Sequence, residues 1–377
     1  MAASTSDKRA RAAAKARPAT SGSDILTLTE AGLYCPAGGF HIDPLRPVPR
    51  ALVTHGHADH ARAGHGAVLA SRETLAIMGI RYGEEFAGST QEARPGETVR
   101  IGEVHVSFHP AGHVLGSMQI AIHQGGLRVV VSGDYKRQSD PTCAPFELVP
   151  CDVFITEATF GLPVFRHPPA ETECAKLLAS LSLFPDRTHL VGAYALGKAQ
   201  RVIAELRKAG HERPIYLHGA LERLCAFYQA EGIDLGPLEP VGGRGKELAG
   251  EIVLCPPGQL ADRWARRFGD PVTAVASGWV RVRARARQRG AELPLVISDH
   301  CDWDDLCRSV RETGAGEIWV THGAEDALVH WCRQQGLSAR PLNLIGYGEG
   351  EREDDETAAP VDQGQTGGGQ LTGGKAG

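Results

Sequence analysis

The sequence predicts an α/β protein in which a second α/β unit interrupts the first. Two observations carry this. Five short apolar, β-branched runs each end at a polar residue able to do metal or acid chemistry: Arg50-Ala-Leu-Val-Thr-His55, Leu127-Arg-Val-Val-Val-Ser-Gly-Asp134, Val153-Phe-Ile-Thr-Glu157, Leu293-Pro-Leu-Val-Ile-Ser-Asp-His300 and Ile318-Trp-Val-Thr-His322. Between Phe160 and Glu292 the pattern changes to strands alternating with helices, which implies a parallel sheet with its own core.

Taken in order, residues 1–23 are rich in Ala, Arg and Lys and lack an apolar core, so they read as a disordered basic arm rather than a secretory signal. The ordered body is expected from Ile25 to Tyr347. The five apolar runs are strand-length and bounded by Gly, Pro or Asp. Ligands gather beyond the carboxyl ends of strands in open α/β structures, so five such ends would build one site. In the interruption, Glu171–Leu183, Lys198–Ala209 and Leu221–Glu231 read as helices, and Thr188–Tyr194 and Pro214–Leu217 as strands. The expected division is 24–159 for the first part, 160–292 for the insertion and 293–347 for the return. Residues 348–377, acidic and then rich in Gly and Gln, read as a disordered tail.

Composition narrows the function classes. Of 377 residues, 42% are apolar and 23% charged, the balance of a soluble globular protein with a sizeable core. The net charge of −5 excludes a generally basic nucleic-acid binder, so any such surface must be local. The nine cysteines are scattered without a Cys-x-x-Cys pair. That argues against a disulfide framework or a thiolate zinc site and fits a reducing cytoplasm. No stretch approaches the ~18 apolar residues of a membrane span.

His55-Gly-His57-Ala-Asp59-His60 is the strongest signal. In a tight turn after a strand, His55 and His57 can face one metal while Asp59 and His60 face a second. Imidazole and carboxylate suit zinc, and also iron or manganese. A histidine-rich surface loop would not explain the partners downstream. These are His113 between glycines, Asp134 at a strand end where it can bridge two cations, and His322. Alone, His113 would pass for a turn histidine. Two divalent ions ~3.5–4 Å apart clamp a phosphoryl group and activate water at neutral pH, with Asp59 able to accept a proton. Asp43, in His41-Ile-Asp-Pro, either orients these ligands or is an Asp-Pro turn residue.

These residues resemble the motifs of the metallo-β-lactamase superfamily, and the insertion narrows the resemblance to its β-CASP nucleases. Glu157 in Thr-Glu-Ala-Thr-Phe-Gly, Ser298-Asp-His300-Cys-Asp302-Trp and Val320-Thr-His322-Gly are similar to that family's three further motifs. The likeness runs from Leu33 to Asp326. It implies an αββα sandwich with an inserted α/β β-CASP domain. It also implies a first metal on His55, His57, His113 and Asp134, and a second on Asp59, His60, Asp134 and His322. His300, paired with Glu157, would be the general acid. Leu33-Tyr-Cys-Pro-Ala-Gly-Gly and Ala276-Ser-Gly-Trp-Val-Arg-Val-Arg are similar to bacterial ligase-associated DNA exonucleases. That subgroup, in turn, resembles messenger-RNA 3′-end processing factors. The likeness implies DNA as substrate and functional association with an ATP-dependent DNA ligase and a helicase. A histidine at position 322 is more typical of RNA-processing members, so RNA stays open as the alternative.

Arg281, Arg283, Arg285, Arg287 and Arg289 alternate with other residues after Trp279. On a strand they share one face; on a helix they spread around it. They read either as a phosphate-tracking strip or as a solvated charged face. Gly197-Lys198, opening a helix, is either a phosphate contact or an ordinary strand–helix turn. A small-molecule metallohydrolase would share the histidine motif but lack the insertion and the Glu157–His300 pair. A binding module that had lost activity would be expected to lack ligands that are all present here.

Overall fold

The computed structural model describes residues 21–342. Nearly all of the expected arm and tail lie outside the described residues. The arm's last residues do not continue it: Ser21 caps a 3₁₀ turn at Gly22–Asp24, and its hydroxyl and the Gly22 N–H donate to Glu317. A side chain at Gly22 would meet Trp319 and Val153 at 2.8–2.9 Å, so the chain is pinned against the sheet there.

Six short strands form the first sheet: β1 (Thr27–Thr29), β2 (Gly32–Cys35), β3 (Phe40–Ile42), β4 (Ala51–Leu52), β5 (Val68–Ala70) and β6 (Thr90–Glu92), with helix α1 (Arg72–Tyr82) between the last two. The second sheet begins with β7 (Thr98–Ile101), β8 (Val104–Pro110), β9 (Met118–Gln124), β10 (Leu127–Val131) and β11 (Val153–Ala158). The chain then leaves to build a third, wholly parallel sheet. Its members are α2 (Ala170–Leu183), β12 (His189–Gly192), α3 (Lys198–Lys208), β13 (Ile215–Leu217), α4 (Gly219–Ala230), β14 (Leu238–Pro240), β15 (Ile252–Cys255), β16 (Val272–Ala276), α5 (Arg283–Gln288) and β17 (Leu293–Leu295). Its strand order is β14-β13-β15-β12-β16-β17. The chain returns through α6 (Trp303–Glu312), β18 (Glu317–Gly323), α7 (Glu325–Gln334) and β19 (Ser338–Pro341), which extend the second sheet in parallel beyond β11.

The apolar runs are continuous because both faces of these strands are covered. Successive residues point to opposite faces. Val129, Val131, Val153 and Ile155 meet Leu33, Phe40, Ile42, Leu52 and Leu69 of the first sheet. Val130 and Phe154 pack outward against Leu306, Val310, Leu328 and Val329 of α6 and α7. On the other side, Met78 of α1 packs on Ala51, Val53, Val68 and Ala70. Helix, sheet, sheet and helix are thus stacked in four layers. The third sheet has a separate core in which α2, α3 and α4 cover Val191, Ile252, Leu254 and Ala274.

One expectation is corrected and one open alternative is decided. The fourth run is a strand only at Leu293–Leu295, and it pairs with β16 in the third sheet rather than with the second. The expected boundary at residue 293 therefore cuts through the insertion's own sheet, and His300 stands on the loop that follows. The arginine run is a 3₁₀ turn (Gly278–Arg281) followed by α5, not a strand. Arg and Ala are among the better helix formers.

Phe154 is fully buried between the second sheet and its helices. Truncation to Ala should destabilise by roughly 3–5 kcal/mol, seen as a lower urea midpoint at unchanged slope. A loss below about 1 kcal/mol would mean that the outer helices do not pack on this strand.

Candidate metal centre

The centre forms where strands of both sandwich sheets end. β4 stops at Leu52, and the chain turns through Thr54 to His60. Asp43 shapes that turn. Its carboxylate accepts from the Thr54 N–H (2.8 Å) and Thr54 Oγ1 (2.6 Å), and lies 2.8 Å from His60 Nδ1. Asp43 has φ +43°, a left-handed conformation uncommon outside glycine, which those three contacts hold in place. Gly133, at φ +57°, lets the Asp134 backbone close on this turn: a Cβ there would lie 2.7 Å from Thr54.

Hydrogen bonds on the far side of each ring fix which nitrogen faces inward. Thr54 Oγ1 donates to Asp43, so at 3.0 Å it accepts from His55 Nδ1. His57 Nε2 donates to the Leu196 carbonyl (3.2 Å) and His113 Nδ1 to the Asp299 carbonyl (2.9 Å). A neutral imidazole carries one proton. The inward nitrogens, His55 Nε2, His57 Nδ1 and His113 Nε2, are therefore bare. Yet they converge to 3.1 Å and 2.9 Å of one another. Bare lone pairs that close repel unless a cation sits among them. Burial, then neighbouring imidazoles, hold His55 well below the usual histidine range and bring His113 down to about 3, so both are neutral and able to act as ligands.

Asp134 faces this group. Its Oδ2 is 3.6 Å from His55 Nε2, 3.8 Å from His113 Nε2 and 3.4 Å from His60 Nε2, and its Oδ1 is 3.3 Å from His322 Nδ1. Burial would push its pKa up, but His60 and then His322 outweigh burial and keep it well below the carboxylate range. Two ligand sets share it: His55, His57, His113 and Asp134, and His60, Asp134 and His322. Asp59 stands at the rim with its side chain 44% exposed and Oδ2 3.6 Å from His60 Nε2. It adjoins the second set without joining its tight cluster. The donors fit divalent cations in chemistry and in tautomer.

Beside the centre, Glu157 accepts from the Tyr135 N–H (2.8 Å) and Thr159 Oγ1 (2.5 Å), and meets His300 Nδ1 at 2.9 Å. Burial pulls the His300 pKa down, but the Glu157 carboxylate dominates and raises it to about 10. In metal-free protein this favours the charged ring, and Nε2 is the nitrogen that Glu157 does not hold.

The expected nucleic-acid residues divide. Arg281 and Arg283 are exposed and Arg285 half-buried, its guanidinium 4.2 Å above the Trp279 ring. Trp279 is itself largely buried against Phe160 and Phe165, with Phe160 6.1 Å from the His300 ring. Lys198 does not face solvent: its ammonium is buried, 3.2 Å from Asp299 and 4.2 Å from the Tyr194 ring. Sequence reasoning missed Asp299, Lys136 and Arg201. The Lys136 and Arg201 side chains both donate to the Ser298 carbonyl, and Arg201 also faces Asp140 at 3.4 Å. The one hint was the spacing of Lys198 and Arg201, three apart on the first turn of α3.

No family model matches the chain. It is 29% identical over 320 residues to a probable DNA ligase of Opitutus terrae, spanning 82% of this chain but 30% of that protein. It is 27% identical over 248 residues to endoribonuclease ysh1 of Aspergillus fumigatus, spanning 52% of this chain and 28% of that one. A ribonuclease of Thermus thermophilus is 25% identical over 393 aligned positions, spanning 82% and 89%. These likenesses point to the metallo-β-lactamase β-CASP nuclease family. A solved protein of unknown function from Enterococcus faecalis shares the fold, with a TM-score of 0.51 at 14% identity over 79% of this chain and 80% of that one. The chain has an α/β architecture consistent with that fold and a histidine–aspartate cluster suited to divalent metal. All nine cysteines are free thiols, and no described helix is long and apolar enough to cross a membrane.

In metal-free protein, His300 should titrate near pH 10 by NMR of its ring nitrogens. The sign follows from the raised pKa. The Glu157–His300 attraction stabilises the fold fully below the unfolded histidine value and is lost as pH rises through about 10. Glu157→Gln should bring the His300 titration toward the ordinary ~6.5. An unmoved titration would assign the proton to another partner.

Proposed function

We propose that this chain is a metal-dependent nuclease that hydrolyses phosphodiester bonds of nucleic acid, acting as a DNA exonuclease alongside a DNA ligase. The observation that carries the reading is His300, braced by Glu157 at 2.9 Å on Nδ1 with Nε2 on the other side of its ring, beside two ligand sets that share Asp134. His55, His57, His113 and Asp134 would hold one cation, and Asp59, His60, Asp134 and His322 the other, both zinc in our reading. When bound, two such ions supply Lewis-acid activation of water and neutralise phosphodiester charge. The rest is the chain's own work. Asp43 fixes the tautomer and direction of His60. Glu157 orients His300 and keeps it charged, and His300 Nε2 donates its proton to the departing sugar oxygen. In our reading Arg281, Arg283 and Arg285, which follow Trp279 in the chain, track the phosphate backbone.

DNA is favoured by the likeness to the Opitutus protein, whose name describes a DNA ligase. RNA is the second reading, favoured by the Thermus ribonuclease, which this chain matches over 89% of its length. We place the protein in the cytoplasm, with an ATP-dependent DNA ligase and a helicase as functional companions.

The test is digestion of end-labelled single- and double-stranded DNA and RNA, with metal content measured on the same sample. Close to two metal equivalents and stepwise shortening of DNA are expected, and active metal-free protein would end the reading. His322→Ala should lower metal occupancy and activity together. His300→Ala should keep both ions and slow the reaction by roughly 10²–10⁴-fold, less with a nitrophenyl leaving group that departs unprotonated. A His300 variant that loses metal would make His300 a ligand instead.

Neutralising Arg281 and Arg283 should raise KM for long substrates and reduce the log–log salt slope by roughly 0.7–0.9 per lost phosphate contact. An unchanged slope returns these arginines to an ordinary solvated face.

A further inference from the structure

Helix α3 of the inserted sheet begins at the centre rather than at the surface. Leu196 offers its carbonyl to His57, and Gly197, at φ +84°, brings the chain so close that a Cβ there would meet Val114 at 2.3 Å. Lys198 follows, buried, with its ammonium 3.2 Å from Asp299 Oδ1. That same oxygen is 4.0 Å from His300 Nε2, on the side of the ring opposite Glu157. Asp299 cannot retreat through its backbone. Its carbonyl accepts from His113 Nδ1, and the preceding Ser298 carbonyl accepts from both Lys136 and Arg201. Only its side chain is free to turn, and its Oδ1 lies between the Lys198 ammonium and His300 Nε2.

We propose that Lys198 and Asp299 are a positioning pair: Lys198 holds the Asp299 carboxylate away from His300 Nε2, leaving that proton available to the departing oxygen. Without the ammonium, a buried carboxylate would lose its compensation, a costly state. The nearest relief is a hydrogen bond from His300 Nε2, which needs about 1 Å of side-chain movement to reach ordinary N–H···O length. The acid would then be held between two carboxylates and lost to catalysis, although every metal ligand stays in place. Burial of the Lys198 ammonium and its seat over Tyr194 exclude it from reaching a substrate phosphate.

The inference rests on the nuclease reading for the identity of the departing group, and the test separates the two. Lys198→Met should lower kcat on an oligonucleotide roughly tenfold or more, with KM nearly unchanged and both ions retained. A nitrophenyl phosphodiester should be much less affected. Adding Asp299→Asn removes the competing charge and should restore kcat to within about threefold of the starting protein, a coupling that a loss of packing would not produce. In metal-free protein, independent of any activity, the His300 Nε2 resonance should shift in Lys198→Met and return in the double variant. Lys198→Gln, which keeps a donor to Asp299, gives an intermediate shift and serves if the methionine packs poorly. A raised KM with a shallower salt slope would make Lys198 a phosphate contact and overturn the proposal. So would a double variant worse than either single one, or an unmoved resonance. If the unaltered protein cuts no nucleic acid, the functional reading fails while the resonances still decide the pair.

Discussion

Asp134 is an anion surrounded by histidines. Imidazoles at 55, 60, 113, 300 and 322 stand within 4.0 Å of its two oxygens, and they arrive from the β4 turn, the β8–β9 loop, the loop after β17 and the end of β18. A carboxylate so deeply buried is tolerable only if its charge is answered on several sides. The two sandwich sheets and the loop after β17 must therefore converge on one point. The αββα stack supplies this rigidly, because its strands are packed on both faces by Val, Ile and Phe and cannot slide without exposing one set.

The inserted sheet is more than a lid. Leu196 from its first strand–helix turn orients His57, and Arg201 shares the Ser298 carbonyl with Lys136 of the loop after β10. The loop bearing His300 is thus gripped from both units at once. Placing His300 on a shared loop ties its geometry to the way the two units meet.

Much of this was legible in the sequence because the informative residues were close together or ended an apolar run. His55 to His60 lie in one turn, and Asp134, Glu157 and His322 close strands or follow them within a few residues. The inserted helices were found to within one or two residues, since amphipathic spacing and turn residues mark them. What stayed hidden depended on partners distant along the chain. Leu293-Pro-Leu is equally apolar whichever sheet it joins, and only the pairing with Ala274–Ala276 decides. Arg-Ala repeats suit a strand face or a short helix equally well by spacing alone. Lys198 looks like a surface cation until Tyr194 and Asp299 close over it, and Asp299 was overshadowed by the histidine beside it.

The pairing of β11 with β18 skips a residue: Glu157 lies opposite Thr321, and Ala158 opposite Gly323. His322 is the residue left out, with φ +57°. An unbroken ladder would send position 322 to the same face as Val320, toward α7 and away from Asp134. The extra residue turns it back, as bulges do beside functional sites. That backbone also filters what mutation can leave there. Asn, Asp and Gly accept a left-handed conformation readily, whereas Val or Ile would oppose it. Drift at this position therefore runs first through side chains of which two still carry an oxygen donor. A branched aliphatic residue would require the bulge itself to be ironed out, so the inward-facing imidazole and the local strand geometry would be expected to disappear together.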